Sequence, residues 1–266
     1  MNAQPEEQSV RSPDGTRIGF VKMGSGPALV LVHGVLNTAD QWLPVAIAMS
    51  DHCMCFVMDR RSRGRSGDGA DYSLDRQIED IQAVLDAAGP GASLLGHSSG
   101  AIYALETARR FPVGRLVLYE PPLHFQGPKA EGLVDRIRAK VESKQFENAV
   151  TIFLKEEARV PEDALSGVQA TPLWDQMVAL APTLLGELEM ILRLGPSVER
   201  YRDVSIPTLL LSGTETVDHP SFATKALQDT LPNVRKAMLD GQGHGANGEA
   251  PDMVARAVTD FLLAKL

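Results

Sequence analysis

Short apolar runs, each followed by a polar loop and then an amphipathic stretch, constrain this chain more than any other feature. "PALVLVHG" (27–34), "CMCFVMD" (53–59), "ASLLGHS" (92–98), "GRLVLYE" (114–120) and "PTLLLSG" (207–213) are too short for buried helices and have almost no polar face. Such runs suit strands covered on both sides. "VRKAMLD" (234–240) is a weaker member, and "TRIGFVKMG" (16–24) alternates polar and apolar, as a half-exposed strand does. Helical periodicity lies between them. "SLDRQIEDIQAVLDAAG" (73–89) has Ser73 as an N-cap and Gly89 as a stop, and "SGAIYALETARRF" (99–111) follows the third run directly. "SFATKALQDTL" (221–231) and "APDMVARAVTDFLLAKL" (250–266) close the chain. The pattern predicts an α/β fold: a mostly parallel sheet with helices on both faces.

One stretch breaks the alternation. Residues 123 to about 203 carry no strand-like run but several helical ones, among them "EGLVDRIRAKVESKQFENAVTIFLKEEARV" and "PLWDQMVALAPTLLGELEMILRLG". This predicts a core of 1–122 with 204–266 and an inserted helical cap over 123–203. The chain's 266 residues suffice for a large buried core.

Charge narrows the partners. The formal net charge is −8, and the one basic cluster, "DRRSRGRS" (59–66), is short. Neither nucleic acid nor an anionic membrane surface is expected, because both need clustered Lys and Arg. The cluster reads as a solvated or ion-paired loop rather than an anion site. The polar opening "MNAQPEEQSVRSPDGTR" lacks the apolar run of a secretion signal, and no run of 18 apolar residues occurs. Cys53 and Cys55 lie two apart with no further metal ligands near them, so they read as small buried hydrophobes of a reducing, cytoplasmic setting. The expected partner is a small molecule, with no metal or organic cofactor.

Three stretches can carry chemistry. Gly96-His97-Ser98-Ser99-Gly100 fits G-x-S-x-G where a strand turns at once into a helix. That turn presents the Ser98 hydroxyl at its tip, over a helix N-terminus; the alternative is an accidental Gly-rich turn. His33-Gly34 ends an earlier strand, and the N–H of Val35 with that of Ser99 would form an oxyanion hole. His33 itself reads as a structural hydrogen-bonding residue. His244 lies in the Gly-rich loop "LDGQGHGANGEAPD", which frees its imidazole to reach Ser98 as a general base. His52, His97, His124 and His219 are poorer bases by position.

The order of "HG", "DRRSRGRS", "GHSSG", "LYEPP" and "GQGHG" resembles the α/β-hydrolase superfamily over roughly residues 8–122 and 204–266, with the helical cap matching by position alone. The resemblance implies an eight-stranded sheet and a Ser–acid–His triad. Two departures stand out. Ser62 replaces the first Gly usual in the loop "DRRSRGRS" after the second run. Thr216, three residues after Gly213, stands where the family usually places its catalytic Asp, and it cannot carry charge. Some members, including certain haloalkane dehalogenases and the zearalenone-type lactone hydrolases, keep the acid instead at the strand end corresponding to Glu120 of "LYEPP". Glu120 is therefore the favoured acid, with Glu215 and Asp218 as alternatives. Glu120 could equally be a structural carboxylate bonded to loop N–H groups.

The expected reaction is hydrolysis of a carboxylic ester or lactone through an acyl-enzyme. A Ser at the elbow argues against dehalogenase and epoxide hydrolase chemistry, which in this fold use Asp there. Carbon–carbon bond hydrolysis, acyl transfer and perhydrolysis share the same constellation, and a non-catalytic ligand receptor is the alternative of another class. Gly34, Trp42, Leu123, His124, Phe125 and Trp174 are the candidates for contact with substrate. Trp174 falls at helical spacing with Met177 and Leu180, a stripe that serves equally as cap packing. Their apolar character suggests a hydrophobic substrate. The fold suggests a monomer or homodimer.

Overall fold

The computed structural model describes residues 4–69, 71–123, 125–195, 197–216 and 218–265, and of 218–222 the backbone alone. His124 and the side chains of Asp218 and His219 lie outside the described residues. In chain order the elements are β1 (Glu6–Arg11), β2 (Arg17–Gly24), β3 (Ala28–Val32), α1 (Leu43–Met49), β4 (Met54–Met58), α2 (Leu74–Ala88), β5 (Ser93–His97), α3 (Ser99–Arg110) and β6 (Leu116–Tyr119). The helices α4 (Gly127–Glu142), α5 (Phe146–Glu156), α6 (Glu162–Gln169), α7 (Pro172–Ala179) and α8 (Ala181–Leu194) follow. The chain ends with β7 (Thr208–Gly213), α9 (Asp218–Thr230), β8 (Val234–Leu239), α10 (Ala246–Glu249) and α11 (Pro251–Leu263).

The strands form one eight-stranded sheet in the order β1-β2-β4-β3-β5-β6-β7-β8. β2 pairs antiparallel with β1 and β4; from β4 to β8 every pairing is parallel. Each expected strand is present. β1, "EEQSVR", is the one that periodicity does not reveal: as an edge strand with a largely exposed pattern it needs no apolar run. Strand order reverses at β3, which has β4 on one side and β5 on the other. In open α/β sheets the crevice at such a reversal, beyond the carboxyl ends of the strands, is where ligands bind.

Two compact units divide the chain: Met1–Gly34, Thr38–His124 and Ser197–Leu266 in one, Val35–Asn37 and Phe125–Pro196 in the other. In the first, alternate residues of the central strands (Leu29, Leu31, Cys55, Val57, Leu95, Val117, Leu209, Leu211) meet Val45 and Met49 of α1 and Val254, Val258 and Phe261 of α11. The intervening residues, such as Val30, Phe56, Leu94 and Leu118, are equally buried, on the side where α2 and α3 pack. Ser73 caps α2 by accepting the Arg76 N–H, and Gly89 ends it at φ 95°. Cys53 and Cys55 are free and buried within this core; burial pushes the Cys55 thiol up to about 12, which leaves it unreactive. In the second unit α4 packs on α5 and α8, burying Leu133, Ile137, Val150, Phe153, Leu184 and Leu188. No helix among the described residues is long and apolar enough to cross a membrane.

The basic loop after β4 is ion-paired, and much of it is buried. Arg61, with a fully buried side chain, places Nε and Nη2 on the two Asp80 oxygens at 2.7 and 2.8 Å and Nη1 on Asp14 at 3.0 Å. Asp59 accepts the N–H groups of Ala39 (2.7 Å) and Arg65 (3.0 Å), and the Arg60 guanidinium lies 4.9 Å from the Tyr103 ring centre. A fork of paired hydrogen bonds makes such a buried charge tolerable. Ser62 sits in this loop at φ 62°, in left-handed backbone that a Cβ disfavours by about 1–2 kcal/mol. Ser62→Gly should therefore raise stability by up to about 1 kcal/mol, read as a rise of about 2–4 °C in Tm by calorimetry. An unchanged or lower Tm would mean that the loop tolerates the serine without strain.

Candidate active site

The turn from β5 into α3 is built by close backbone approach. Ser98 holds φ 55° and ψ −126°, a region that non-glycine residues rarely occupy. A Cβ on Gly100 would stand 2.4 Å from the Val32 carbonyl oxygen, so only glycine lets α3 start this close to the end of β3. A Cβ on Gly34 would fall 2.9 Å from the Ser98 Cβ, which brings the loop after β3 against the serine. The Ser98 N–H donates to the Tyr119 carbonyl at 2.9 Å, tying the turn to β6. The side chain of Ser98 is half-buried at the elbow, and the N-terminus of α3, from Ser99 on, directs the positive end of its dipole there.

The loop after β3 is fixed by the Gly34 carbonyl. It accepts from His33 Nδ1–H at 2.9 Å and from Arg60 Nη2 at 2.8 Å, while His33 Nε2 accepts the Arg60 backbone N–H at 3.2 Å. With its carbonyl anchored, the trans peptide from Gly34 to Val35 must direct its N–H the opposite way. His33 is thus a bracket for the peptide. Val35 itself groups with the second unit.

His244 is held by main chain and side chain together. Its Nδ1 lies 2.6 Å from Glu120 Oε2. Its carbonyl accepts from His97 Nε2–H at 3.0 Å, and the two ring centres lie 4.5 Å apart with the planes tilted by 37°. Tyr119 donates its hydroxyl to the Gly243 carbonyl and accepts the Ala246 N–H at 3.3 Å. The imidazole is still 43% exposed, whereas the Glu120 carboxylate is fully buried. With Nδ1 on the carboxylate, Nε2 is the nitrogen available to a reacting group.

Glu120 is itself unusual. It follows β6 at φ 49° and precedes Pro121, a position where helical backbone is disfavoured. Its Oε1 accepts the Gly213 N–H at 2.9 Å and the Thr216 hydroxyl at 2.5 Å. Glu215 is exposed, and its N–H donates to the Gln242 carbonyl at 2.8 Å. The carboxylate beside His244 is thus that of Glu120.

The remaining candidates separate by burial. Trp42 is 1% exposed and packs in the core 5.5 Å from the His97 ring, so it backs His97 and offers no surface to a substrate, contrary to expectation. Leu123, after Glu120, is 8% exposed; Phe125 and Trp174 are buried residues of the second unit. His97 and Tyr119 escaped sequence reasoning as parts of this arrangement, and Gly213 and Thr216 were marked only as the place where an acid is absent, not as donors to Glu120. Their contacts join residues 93 to 147 apart, and no local pattern shows such pairings. Among the described residues no group of three or more His, Cys, Asp or Glu stands together as metal ligands.

Known proteins give the same picture of the frame. The model of the alpha/beta hydrolase family matches residues 29–257. A crystal structure of an alpha/beta hydrolase from Sphaerobacter thermophilus superposes with a TM-score of 0.87 at 36% identity, over 96% of this chain and all of the other. A 2-(acetamidomethylene)succinate hydrolase of Mesorhizobium japonicum is 26% identical over 90% of this chain and 89% of its own length. An N-formylmaleamate deformylase of Pseudomonas putida is 38% identical over 45% of this chain and 47% of its own.

Both buried histidines bear on stability. Burial holds His33 well below the usual histidine range, aided by the Arg60 and Arg63 charges. Burial does the same for His97, with His244 beside it. A histidine whose folded pKa is depressed takes up a proton on unfolding, so the unfolded chain binds more protons below about pH 6.5 and stability falls as pH drops. Urea midpoints should therefore decline between about pH 6.5 and 5, with a slope of up to about 1.4 kcal/mol per pH unit for each histidine. Replacing His97 by Gln should flatten that slope; a midpoint independent of pH in this window would contradict both assignments.

Proposed function

This chain belongs to the α/β-hydrolase family, and on that premise we propose that it is a serine hydrolase cleaving a carboxylic ester or lactone of a hydrophobic small molecule through an acyl-enzyme. The observation that carries this reading is the 2.6 Å contact between His244 Nδ1 and the buried Glu120 carboxylate, on the same core unit as the elbow serine. In the proposed cycle His244 Nε2 takes the Ser98 proton as Oγ attacks the carbonyl carbon. Glu120 fixes the imidazole tautomer and balances the imidazolium. The Ser99 N–H, at the start of α3, and the N–H of the anchored Gly34–Val35 peptide stabilise the oxyanion. The imidazolium then protonates the leaving alkoxide, and in a lactone that alcohol stays attached to the acyl group. Water deprotonated by His244 adds to the ester of Ser98, and collapse releases the acid with Ser98 reprotonated.

Small amides are a second reading, because two relatives carry names built on an acetamido and an N-formyl compound. The same steps serve, with an amine leaving in place of an alcohol.

A fluorophosphonate probe tests the chemistry. Stoichiometric labelling of the wild type, lost in Ser98→Ala, is expected; absence of labelling would sink the serine hydrolase reading. A panel of p-nitrophenyl esters, lactones and N-acyl and N-formyl amides then ranks the two substrate classes by kcat/KM. Glu120→Gln should lower kcat by about 10³–10⁴ with little change in Tm. Near-normal turnover in that variant, with loss in Asp218→Asn or Glu215→Gln, would move the acid elsewhere.

A further inference from the structure

We infer that Thr216 is a positioning residue: its hydroxyl sets the orientation in which the Glu120 carboxylate holds His244. The inference rests on the reading of Glu120 and His244 given above. Glu120 has three side-chain torsions, its carboxylate is fully buried, and among the described residues its only ion-pair partner is His244. What fixes it is a pair of neutral donors on Oε1, the Gly213 N–H at 2.9 Å and the Thr216 hydroxyl at 2.5 Å. Two donors on Oε1 restrain the carboxylate, and with Oε1 so held, Oε2 meets His244 Nδ1 at 2.6 Å. A buried carboxylate needs such donors in any event, because an unsatisfied charge there is costly.

Thr216 is in turn held by its surroundings. The Thr214 N–H donates to the Leu239 carbonyl at 3.0 Å, the Glu215 N–H to Gln242 at 2.8 Å, and the Gly241 N–H to the Thr214 hydroxyl at 2.8 Å. The loop after β7 is therefore laced to the loop that carries His244. The hydroxyl meets the carboxylate from a frame shared with the imidazole, so carboxylate and imidazole keep their register.

Thr216→Val removes the hydroxyl with little change of shape, and Thr216→Ser restores it. Thr216→Val should lower kcat about ten- to a hundredfold, the loss expected for one hydrogen bond to a charged group, with KM changed by less than about twofold. It should also move or broaden the downfield proton resonance of His244 Nδ1–H, observed by NMR without substrate. Thr216→Ser should keep the resonance and stay within about threefold of the wild type in kcat. Thr216→Ala checks that the methyl is not the cause, and should behave as Thr216→Val. Wild-type kcat and an unmoved resonance in Thr216→Val would overturn the inference; so would a Thr216→Ser variant as impaired as Thr216→Val. Because the resonance is read without turnover, it decides the role of Thr216 even if Ser98 proves unreactive. Failure of the hydrolase reading shows instead as a wild type that neither labels nor turns over.

Discussion

The carboxylate of Glu120 is the point at which three separate chain segments meet. One oxygen binds the tip of β7 through the Gly213 N–H and the following loop through Thr216; the other binds the loop between β8 and α10 through His244. None of these segments touches another in sequence, and each is short. A single buried charge with three donors therefore ties together the loops that follow β6, β7 and β8, strands the sheet already pairs in register. Removing it would leave two buried donors unsatisfied and the imidazole without a partner, a cost of several kcal/mol in structures of this kind.

The same geometry accounts for a threonine where the family usually carries an aspartate. Oxygen atoms at position 216 and on Glu120 stand 2.5 Å apart. Two carboxylates at that separation cannot both be ionised, so an acid at 216 would force a proton onto one of them. A hydroxyl in its place donates a hydrogen bond and turns a repulsion into a restraint. Glu120 and Thr216 are thus a matched pair, and the missing aspartate follows from the presence of the glutamate.

Much of this was legible in the chain, for reasons that also set the limits. Strands buried on both faces must be apolar throughout, so the runs at 27–34, 53–59, 92–98, 114–120 and 207–213 marked β3 to β7. β1 was hidden because an edge strand with polar side chains has no such requirement, and its existence followed only from the family resemblance. α1 was hidden in an apolar stretch too short to show a period. Ser98, His244 and Glu120 were singled out by residue type and by place at strand ends. The hydroxyl of Thr216, the ring of His97 and the phenol of Tyr119 were not, because each acts on a residue far along the chain and the sequence does not show which way a side chain turns. Trp42 shows the same limit: its place after the loop that follows β3 does not reveal that the ring is turned into the core.

Backbone strain ties the fold to its use. Of the non-glycine residues with positive φ among those described, Leu36, Ser62, Ser98 and Glu120 follow β3, β4, β5 and β6 in turn. Each costs about 1–2 kcal/mol by the usual steric argument. They fall after four consecutive central strands, at the carboxyl edge where the strand order reverses. A fold selected for stability alone would have no reason to place strain there four times over. At Ser98 and Glu120 the left-handed turn aims a side chain out of the sheet's own alternation, the hydroxyl onto the elbow and the carboxylate toward His244. At Ser62, by contrast, no hydrogen bond of the side chain among the described residues accompanies the conformation. The strain at Ser62 should therefore be removable, whereas at 98 and 120 the backbone sets the direction of the side chains on which the proposed chemistry rests.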